Sequence, residues 1–317
     1  MSMEQSVTER RPIAAGTGLG PVHLAVTDAD RALRFWRDTL GLTLMSEVDG
    51  RMRLGVGGRE LVVLYPGATR PVPGGTTGLY HVAIHLPSRK ELARAVRRLF
   101  ARRYPNSPTD HVATETTYLW DPDGNGIELT FETPERGRLI VTPEGVPGAL
   151  AADGNFRSGR DPLDLDSLFG ELIPGEPLEA QLGEGAKIGH IHLHVADINE
   201  AMRFYRDALG FEELMLVPAM GAGDVNIPGH VPHFIAFNTW AGQGAGQPPE
   251  EAAGLRHFTI ELPSERDLEE TADRLRGDGL TVTEAPGGPF VRDPSANKIH
   301  LTVRDDVDLR DPDRARM

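Results

Sequence analysis

The chain alternates runs of strand periodicity with runs of helical periodicity, and the same order recurs along its length. Val22–Val26 and Ile191–Val195 have apolar residues at every second position, which predicts strands with one buried face. Asp28 and Asp197 follow these strands and are placed to cap a helix. The first predicted helix then shows an apolar stripe at helical spacing, formed by Ala32, Phe35, Trp36 and Leu40.

Each predicted helix is followed by short strands. Gly41 and Gly210 stand where the helices should end, because glycine readily adopts the left-handed conformation found after a helix. Met52–Val56 and Glu60–Tyr65 then resume strand alternation. The unit is therefore βαβββ. Four such modules predict an α+β protein.

The chain contains an internal duplication. Three pairs of segments align without gaps: 20–42 with 189–211, 78–99 with 254–275, and DPDGNGIELT at 121–130 with DPSANKIHLT at 293–302. In the first pair 12 of 23 positions are identical, and in the second 10 of 22. Because the order of segments is the same in both halves, we predict an N-terminal domain (16–135, modules one and two) and a C-terminal domain (186–305, modules three and four).

The segment 136–185 between these halves is rich in Gly and Pro and exceeds an ordinary loop. It is interpreted as a linker, with a lid over a site as the alternative, and Asp161–Ile173 is expected to hold one short helix. The leader 1–15 and the charged stretch 304–317 are expected to be irregular.

Composition narrows the function classes. A formal charge of −14 argues against nucleic acid and anionic membranes as partners, because both require a basic surface. No cysteine is present, so any metal must be held by His, Asp, Glu or water. No apolar run is long enough to span a membrane and no signal-peptide core is seen, which favours a cytoplasmic protein.

Histidines stand near the start of the opening strands of three modules. These are His81, His190 and His257, whereas module one has Pro21 at the position of His190. Alternation places His81 and His85 on one strand face and His190, His192 and His194 on another. A row of imidazoles fits a wet cleft better than a helix-packed face, because buried polar groups need partners.

The closing strands add a carboxylate. Glu128 lies between Ile127 and Leu129, so it faces away from the core side of its strand. Alone, it would be an ordinary exposed residue. Comparison of modules two and four aligns Tyr118 with Phe290, His111 with about Thr283, and Glu128 with His300.

The ligand-competent residues are therefore divided between modules two and three. His81 and Glu128 come from module two, and His190 comes from module three. Two His and one carboxylate form the facial set that leaves three open positions on Fe(II). Mn or Zn would accept the same ligands.

The most specific motif is TDHVATETTYLWDPDGNGIE at 109–128. It resembles the signature of the extradiol ring-cleavage dioxygenases of the vicinal-oxygen-chelate superfamily, with the catechol 2,3-dioxygenases closest in layout. Thr117 departs from the apolar residue usual before the Tyr. The positions that match in spacing are His111, Tyr118, Asp121, Pro122, Gly124 and Glu128.

The resemblance implies two tandem glyoxalase/bleomycin-resistance/extradiol-dioxygenase-like domains. It also implies Fe(II), with Mn(II) as the alternative, an aromatic diol and O₂ as reactants, and assembly into a homo-oligomer. His233 is the candidate acid/base, Tyr118 the donor to a substrate oxygen, and His111 a further catalytic-site residue. The expected substrate pocket includes His192, His230 and His257.

The sequence also allows other metal sets and other functions. In the commonest family members the metal set comes from modules three and four, which here would be His190, His257 and His300. A third set would be His23 with His81 and Glu128. The rival functions are a glyoxalase-like isomerase or epimerase, which usually has two carboxylates at the metal, a non-catalytic small-molecule-binding protein, and a metal-free scaffold.

Overall fold

A computed structural model describes residues 11–230 and 232–304. Most of the expected leader and tail therefore lies outside the described residues. The helices are α1 (Ala29–Leu33), α2 (Arg89–Ala101), α3 (Leu165–Phe169), α4 (Ile198–Met202) and α5 (Glu265–Gly277). The strands are β1 (Gly18–Val26), β2 (Thr43–Val48), β3 (Arg51–Val56), β4 (Arg59–Pro66), β5 (Gly78–His85), β6 (Ser107–Asp110), β7 (Thr114–Trp120), β8 (Gly126–Glu132), β9 (Gly137–Val141), β10 (Pro147–Ala151), β11 (Phe156–Arg157), β12 (Asp161–Pro162), β13 (Lys187–His194), β14 (Glu212–Val217), β15 (Ala222–Asn226), β16 (Ile235–Asn238), β17 (Gly254–Leu262), β18 (Phe290–Arg292) and β19 (Lys298–Val303).

Two large sheets form across the halves of the chain. One has the order β18-β19-β17-β1-β4-β3-β2 and combines modules four and one. The other has the order β12-β6-β7-β8-β5-β13-β16-β15-β14 and combines modules two and three. Within each sheet one antiparallel pair joins the two modules. This pair is β1–β17 in the seven-stranded sheet and β5–β13 in the nine-stranded sheet. The α+β class with tandem modules is confirmed, and neither half of the sequence has a sheet to itself.

The helices begin where the sequence predicts. The side chain of Asp28 accepts a hydrogen bond from the backbone of Arg31, and Asp197 caps α4 in the same way. Both helices continue as a π-helical turn and end before Gly41 and Gly210, which have φ of 95° and 86°. An L side chain would be strained at both positions, so glycine is required there.

The nine-stranded sheet has one apolar and one polar face. Val82 and Ile84 on β5, with Ile127 and Leu129 on β8, are fully buried in the core cluster that also includes residues of α2. Each buried aliphatic side chain of this kind contributes about 1.5–3 kcal/mol. Strand alternation then directs the intervening His81, His85 and Glu128 to the other face.

The segment 136–185 is folded. It contains the three-stranded sheet β11-β10-β9, the strand β12 paired with β6, and α3 within the predicted 161–173 stretch. Arg98 of α2 anchors the C-terminal part of this segment by donating hydrogen bonds to the carbonyls of Leu178 and Ala180. Among the described residues, no helix has both the length and the apolar character needed to cross a membrane.

Candidate active site

Three donor groups from modules two and three meet on the polar face of the nine-stranded sheet. Glu128 Oε2 lies 3.0 Å from His81 Nε2 and 3.0 Å from His190 Nε2, and the two Nε2 atoms are 3.2 Å apart. All three side chains are buried. Within the described ranges, this is a group whose geometry suits a metal ion.

The shape of this donor triangle tests its fit to a metal. Metal–ligand bonds of roughly 2.1 Å to imidazole and carboxylate give donor separations of roughly 3.0 Å on an octahedral face and roughly 3.4 Å in a tetrahedron. Two observed edges of 3.0 Å equal the octahedral value, and the third, 3.2 Å, lies between the two geometries. The three residues therefore fit one metal ion, and the edges are nearer to an octahedral face than to a tetrahedron.

The protonation of the ligands also suits a cation. Burial lowers the pKa of His190 well below its ordinary value, so its imidazole is neutral at neutral pH. Burial alone would raise the pKa of Glu128, but the adjacent His190 and His81 hold that pKa well below its usual range. Neutral imidazole nitrogens and an ionised carboxylate are the forms that bind a metal.

Further residues hold the ligands in place. Thr130 donates a 2.9 Å hydrogen bond to Glu128 Oε1, leaving Oε2 to face the two histidines. His85 Nε2 lies 3.1 Å from His190 Nδ1, and His85 Nδ1 lies 2.6 Å from Glu132 Oε1. When His190 presents its Nε2 lone pair to a metal, its Nδ1–H donates to His85, and His85 donates to Glu132.

A glycine makes this chain of hydrogen bonds sterically feasible. The ring of His85 passes so close to Gly189 that a Cβ there would lie 2.0 Å from it. Any side chain at residue 189 would displace His85 from His190. The register of β5 and β13 also shifts next to Gly189, between Ile188 and His190.

Tyr118 stands beside the donor group and is held by His111. Its hydroxyl lies 2.8 Å from His111 Nε2, while His111 Nδ1 donates to the carbonyl of Gly159 in the segment 136–185. With its Nδ1–H donated to Gly159, a neutral imidazole at His111 accepts a hydrogen bond from the Tyr118 hydroxyl at Nε2. Burial, followed by the charge of Glu128, raises the pKa of Tyr118 well above its usual value, so the phenol stays protonated.

Two more histidines line the same space. His192 Nε2 accepts a 2.8 Å hydrogen bond from Asn238 Nδ2, and burial lowers its pKa well below the ordinary value. His233 lies with its ring centroid 4.5 Å from that of His190. Its Nδ1 is 3.4 Å from Asp224 Oδ2, which is ion-pair distance, but neither ring nitrogen makes a hydrogen bond within the part of the chain that the structure describes.

These groups open into a cavity of about 760 Å³. Its floor is formed by strands of modules two and three, and residues 139–160 contribute part of its wall. The segment 136–185 therefore contributes to the wall of the site, and whether it is a plain linker or a lid stays a prediction. A wider depression of about 1030 Å³ beside α5 contains none of the predicted site residues.

Two residues expected in the substrate pocket lie elsewhere. His257 is on β17 in the seven-stranded sheet, and His230 packs against His85 and Phe234 with ring centroids 6.0 and 5.2 Å away. Neither is among the residues lining the cavity. The prediction that both residues line the substrate pocket is therefore corrected. His257 lies on β17 in the other sheet, and the ring of His230 stacks on His85 outside the cavity lining.

The rival metal sets are not assembled. His257 stacks on His23 with ring centroids 3.8 Å apart, and lies 5.9 Å from His300. His190 is absent from this cluster because it belongs to the other sheet. The third set fails for the same reason, since His23 is on β1 and the other two members are on β5 and β8.

Sequence reasoning missed several members of the site. Glu132 lies at the same alternate positions of its strand as Glu128 and Thr130, and His85 at the same alternate positions as His81. The spacing therefore indicated that each set shares one strand face. Their contact with His190 was not readable, because it depends on how β5 pairs with β13. Asn238 and Arg160 carried no sequence pattern that marked them.

Comparison with known proteins agrees with this architecture. The family model of the Glyoxalase/Bleomycin resistance protein/Dioxygenase superfamily matches residues 18–129 and 187–313. A catechol-2,3-dioxygenase of Bacillus subtilis (strain 168) is 33% identical over 285 residues, covering 88% of this chain and 94% of that protein.

Solved structures share the fold. A crystal structure of a Bacillus subtilis subsp. subtilis str. 168 protein, provisionally assigned as a dioxygenase, superposes with a TM-score of 0.61 at 12% identity, covering 93% of this chain and 86% of that one. Glyoxalase I from Zea mays gives 0.54 at 16% identity, covering 90% of this chain and 92% of that one. The chain belongs to the Glyoxalase/Bleomycin resistance protein/Dioxygenase superfamily.

Proposed function

We propose that this protein is an extradiol ring-cleaving dioxygenase that opens a catechol-like aromatic diol with O₂. The observation that carries the proposal is the facial triangle of His81, His190 and Glu128, which faces a cavity with aromatic walls. The Bacillus subtilis relative named as a catechol-2,3-dioxygenase supports the same chemistry over most of the chain. The finer activity, a catechol 2,3-dioxygenase, is proposed on that relative.

The metal that fits is a divalent ion held by these three residues. We propose Fe(II), with Mn(II) as the alternative. When bound, it would lower the pKa of a coordinated diol and offer the open positions that the diol and O₂ require. A single carboxylate in the donor group, within the described residues, argues against the isomerase alternative, which usually has two.

We propose that two side chains handle protons at the reacting ring. Neither ring nitrogen of His233 makes a hydrogen bond to a residue that the structure describes, and the carboxylate of Asp224 lies 3.4 Å from its Nδ1. We assign His233 as the base that removes a diol proton and as the acid that returns it. The Tyr118 hydroxyl donates to His111 in this structure, and we propose that it donates to a substrate oxygen instead once the diol binds.

The remaining walls position the ring and exclude water. Tyr80 and Trp240 pack edge to face with centroids 5.2 Å apart, and His192 contacts both rings, with centroids 4.8 and 5.7 Å away. An aromatic diol would bind between such groups through offset or edge contacts. Assembly into a homo-oligomer and a cytoplasmic location are further proposals.

Anaerobic loading with Fe(II), followed by catechol and O₂, tests the function. We expect a coloured ring-fission product, and its absence with simple catechols, hydroquinones and chlorinated analogues would count against a dioxygenase. Glu128→Ala should lose bound iron, whereas His300→Ala, the counterpart in module four, should keep it. Unchanged iron in Glu128→Ala would exclude the proposed metal site.

A further inference from the structure

Arg160 lines the cavity, and the proposed reaction does not use its permanent positive charge. Arg160 is the one Arg or Lys among the described residues that line this space. Its backbone N–H donates to Ser158 Oγ at 3.0 Å. Its guanidinium has no ion-pair partner in the ranges 11–230 and 232–304, although Asp161 is adjacent in the chain.

The position of Arg160 is set by contacts of the segment 136–185. The Gly159 carbonyl accepts a hydrogen bond from His111, and Asp161 pairs with Asp110 at the edge of β6. These bonds tie both neighbours of Arg160 to the sheet that holds the metal ligands. The side chain is therefore directed from an anchored turn, although the residue itself is exposed.

Arg160 lines the same space as Tyr80 and Tyr118. The other walls are mainly apolar or aromatic, as with Leu119 and Trp240. A cation at the edge of an apolar space favours a ligand with a matching anion.

The volume of the cavity is large enough for a substrate larger than catechol. The volume of about 760 Å³ lies in the range of roughly 300–1,000 Å³ that holds drug-sized ligands. β12, which follows Arg160, is three strands from β8, which bears Glu128. Three strand spacings amount to roughly 14 Å, so a side arm on the ring is needed to approach the guanidinium.

We propose that Arg160 selects aromatic diols that carry a carboxylate side arm, by pairing its guanidinium with that carboxylate while the diol faces His81, His190 and Glu128. The inference rests on the proposed function, since it names the substrate class of that site. Arg160 is a specificity-determining residue and takes no part in proton transfer.

Substrate competition between matched diols tests this assignment. The probes are 4-methylcatechol, which is neutral, and 3,4-dihydroxyphenylacetate and 3,4-dihydroxybenzoate, which are anionic. We expect the ratio of kcat/KM for the anionic to the neutral diol to fall about tenfold in Arg160→Gln, mainly through KM. Arg160→Lys should retain part of the preference, and added salt should raise KM for the anionic diols in the native protein.

Arg157 provides the control. It lies in the same segment, forms a 3.6 Å ion pair with Asp153 and does not line the cavity. Arg157→Gln should leave the substrate ratio within about twofold of the native protein. An equal change for neutral and anionic diols in Arg160→Gln, or no change for either, would overturn the role of Arg160.

The failure of this inference can be separated from that of the proposed function. If neutral catechols are cleaved and the anionic ones show no dependence on Arg160, only the substrate assignment is lost. If no catechol is cleaved, the proposed function fails, and anaerobic calorimetric titration with 3,4-dihydroxyphenylacetate still measures binding. Equal dissociation constants for native protein and Arg160→Gln in that titration would overturn the inference on its own.

Discussion

The hydrogen-bonded chain behind His190 makes a quantitative prediction about metal affinity. Glu132 contacts His85 at 2.6 Å, and His85 contacts His190 at 3.1 Å. Glu132→Gln keeps the shape of the side chain but removes its charge. We expect the metal dissociation constant to rise about tenfold, because His85 loses the carboxylate that fixes its tautomer and so becomes a weaker acceptor for the Nδ1–H of His190.

The magnitude follows from the exposure of the carboxylate. A hydrogen bond to a charged group contributes about 1.5–3 kcal/mol when well shielded. The side chain of Glu132 is 32% exposed, so water screens it and the lower end applies. About 1.4 kcal/mol corresponds to about tenfold in a dissociation constant. Burial would raise the pKa of Glu132, but His85 brings it below its usual value, so the carboxylate is charged at neutral pH.

The assay is anaerobic competition between the protein and a chromophoric chelator, for Fe(II) and separately for Mn(II). Lys187→Gln is the control, because its Nζ lies 3.9 Å from Glu132 Oε1 and it is outside the His85–His190 chain. That variant should bind metal as tightly as the native protein or slightly more tightly. Glu128→Gln, which alters a direct ligand, should lose far more affinity.

One outcome would refute the reasoning. If Glu132→Gln binds both metals within about twofold of the native protein while Glu128→Gln does not, the outer hydrogen bonds have no influence on the ligand. Thermal unfolding of the metal-free variants separates a local effect from loss of structure, since Glu132→Gln should unfold within a few degrees of the native protein.

Three further predictions concern the pocket and the second sheet. Tyr118→Phe should lower kcat about 10- to 100-fold with little change in bound metal, and rates equal to native would remove its role. His233→Gln should lower kcat/KM at least about 100-fold; a smaller loss would mean that the diol proton leaves by another route. In the folded protein, burial and the neighbouring His23 lower the pKa of His257 to about 2. The unfolded chain therefore binds more protons below about pH 6.5, so stability is full above that pH and falls as pH drops towards 2. His257→Phe should remove about 1–2 kcal/mol of the stability lost between about pH 6.5 and 5, and an unchanged slope in urea titrations would contradict the pKa.

Local structure was largely readable from the sequence. Alternation identified the strands and capping residues marked the starts of α1 and α4, because both depend on neighbours a few residues away. The repeat showed the duplication, and the mismatch between modules two and four singled out Glu128 and Tyr118. The proposal that modules two and three share one metal also came from this asymmetry.

Only the tertiary structure decided which modules share a sheet. Pairing of β5 with β13 joins residues about one hundred positions apart, and local preferences cannot select between such partners. That pairing brings His81 and His190 within 3.2 Å and leaves His257 in the other sheet.

The roles of the supporting residues were decided at the same level. The ring of His85 reaches His190 only because Gly189 lacks a side chain, and Gly159 reaches His111 only because the segment 136–185 folds back on β6. These contacts depend on distances across strands and loops. The sequence by itself determined the modules and the chemical groups they carry, whereas non-local pairing determined which groups meet, because its register is set by packing of the whole sheet.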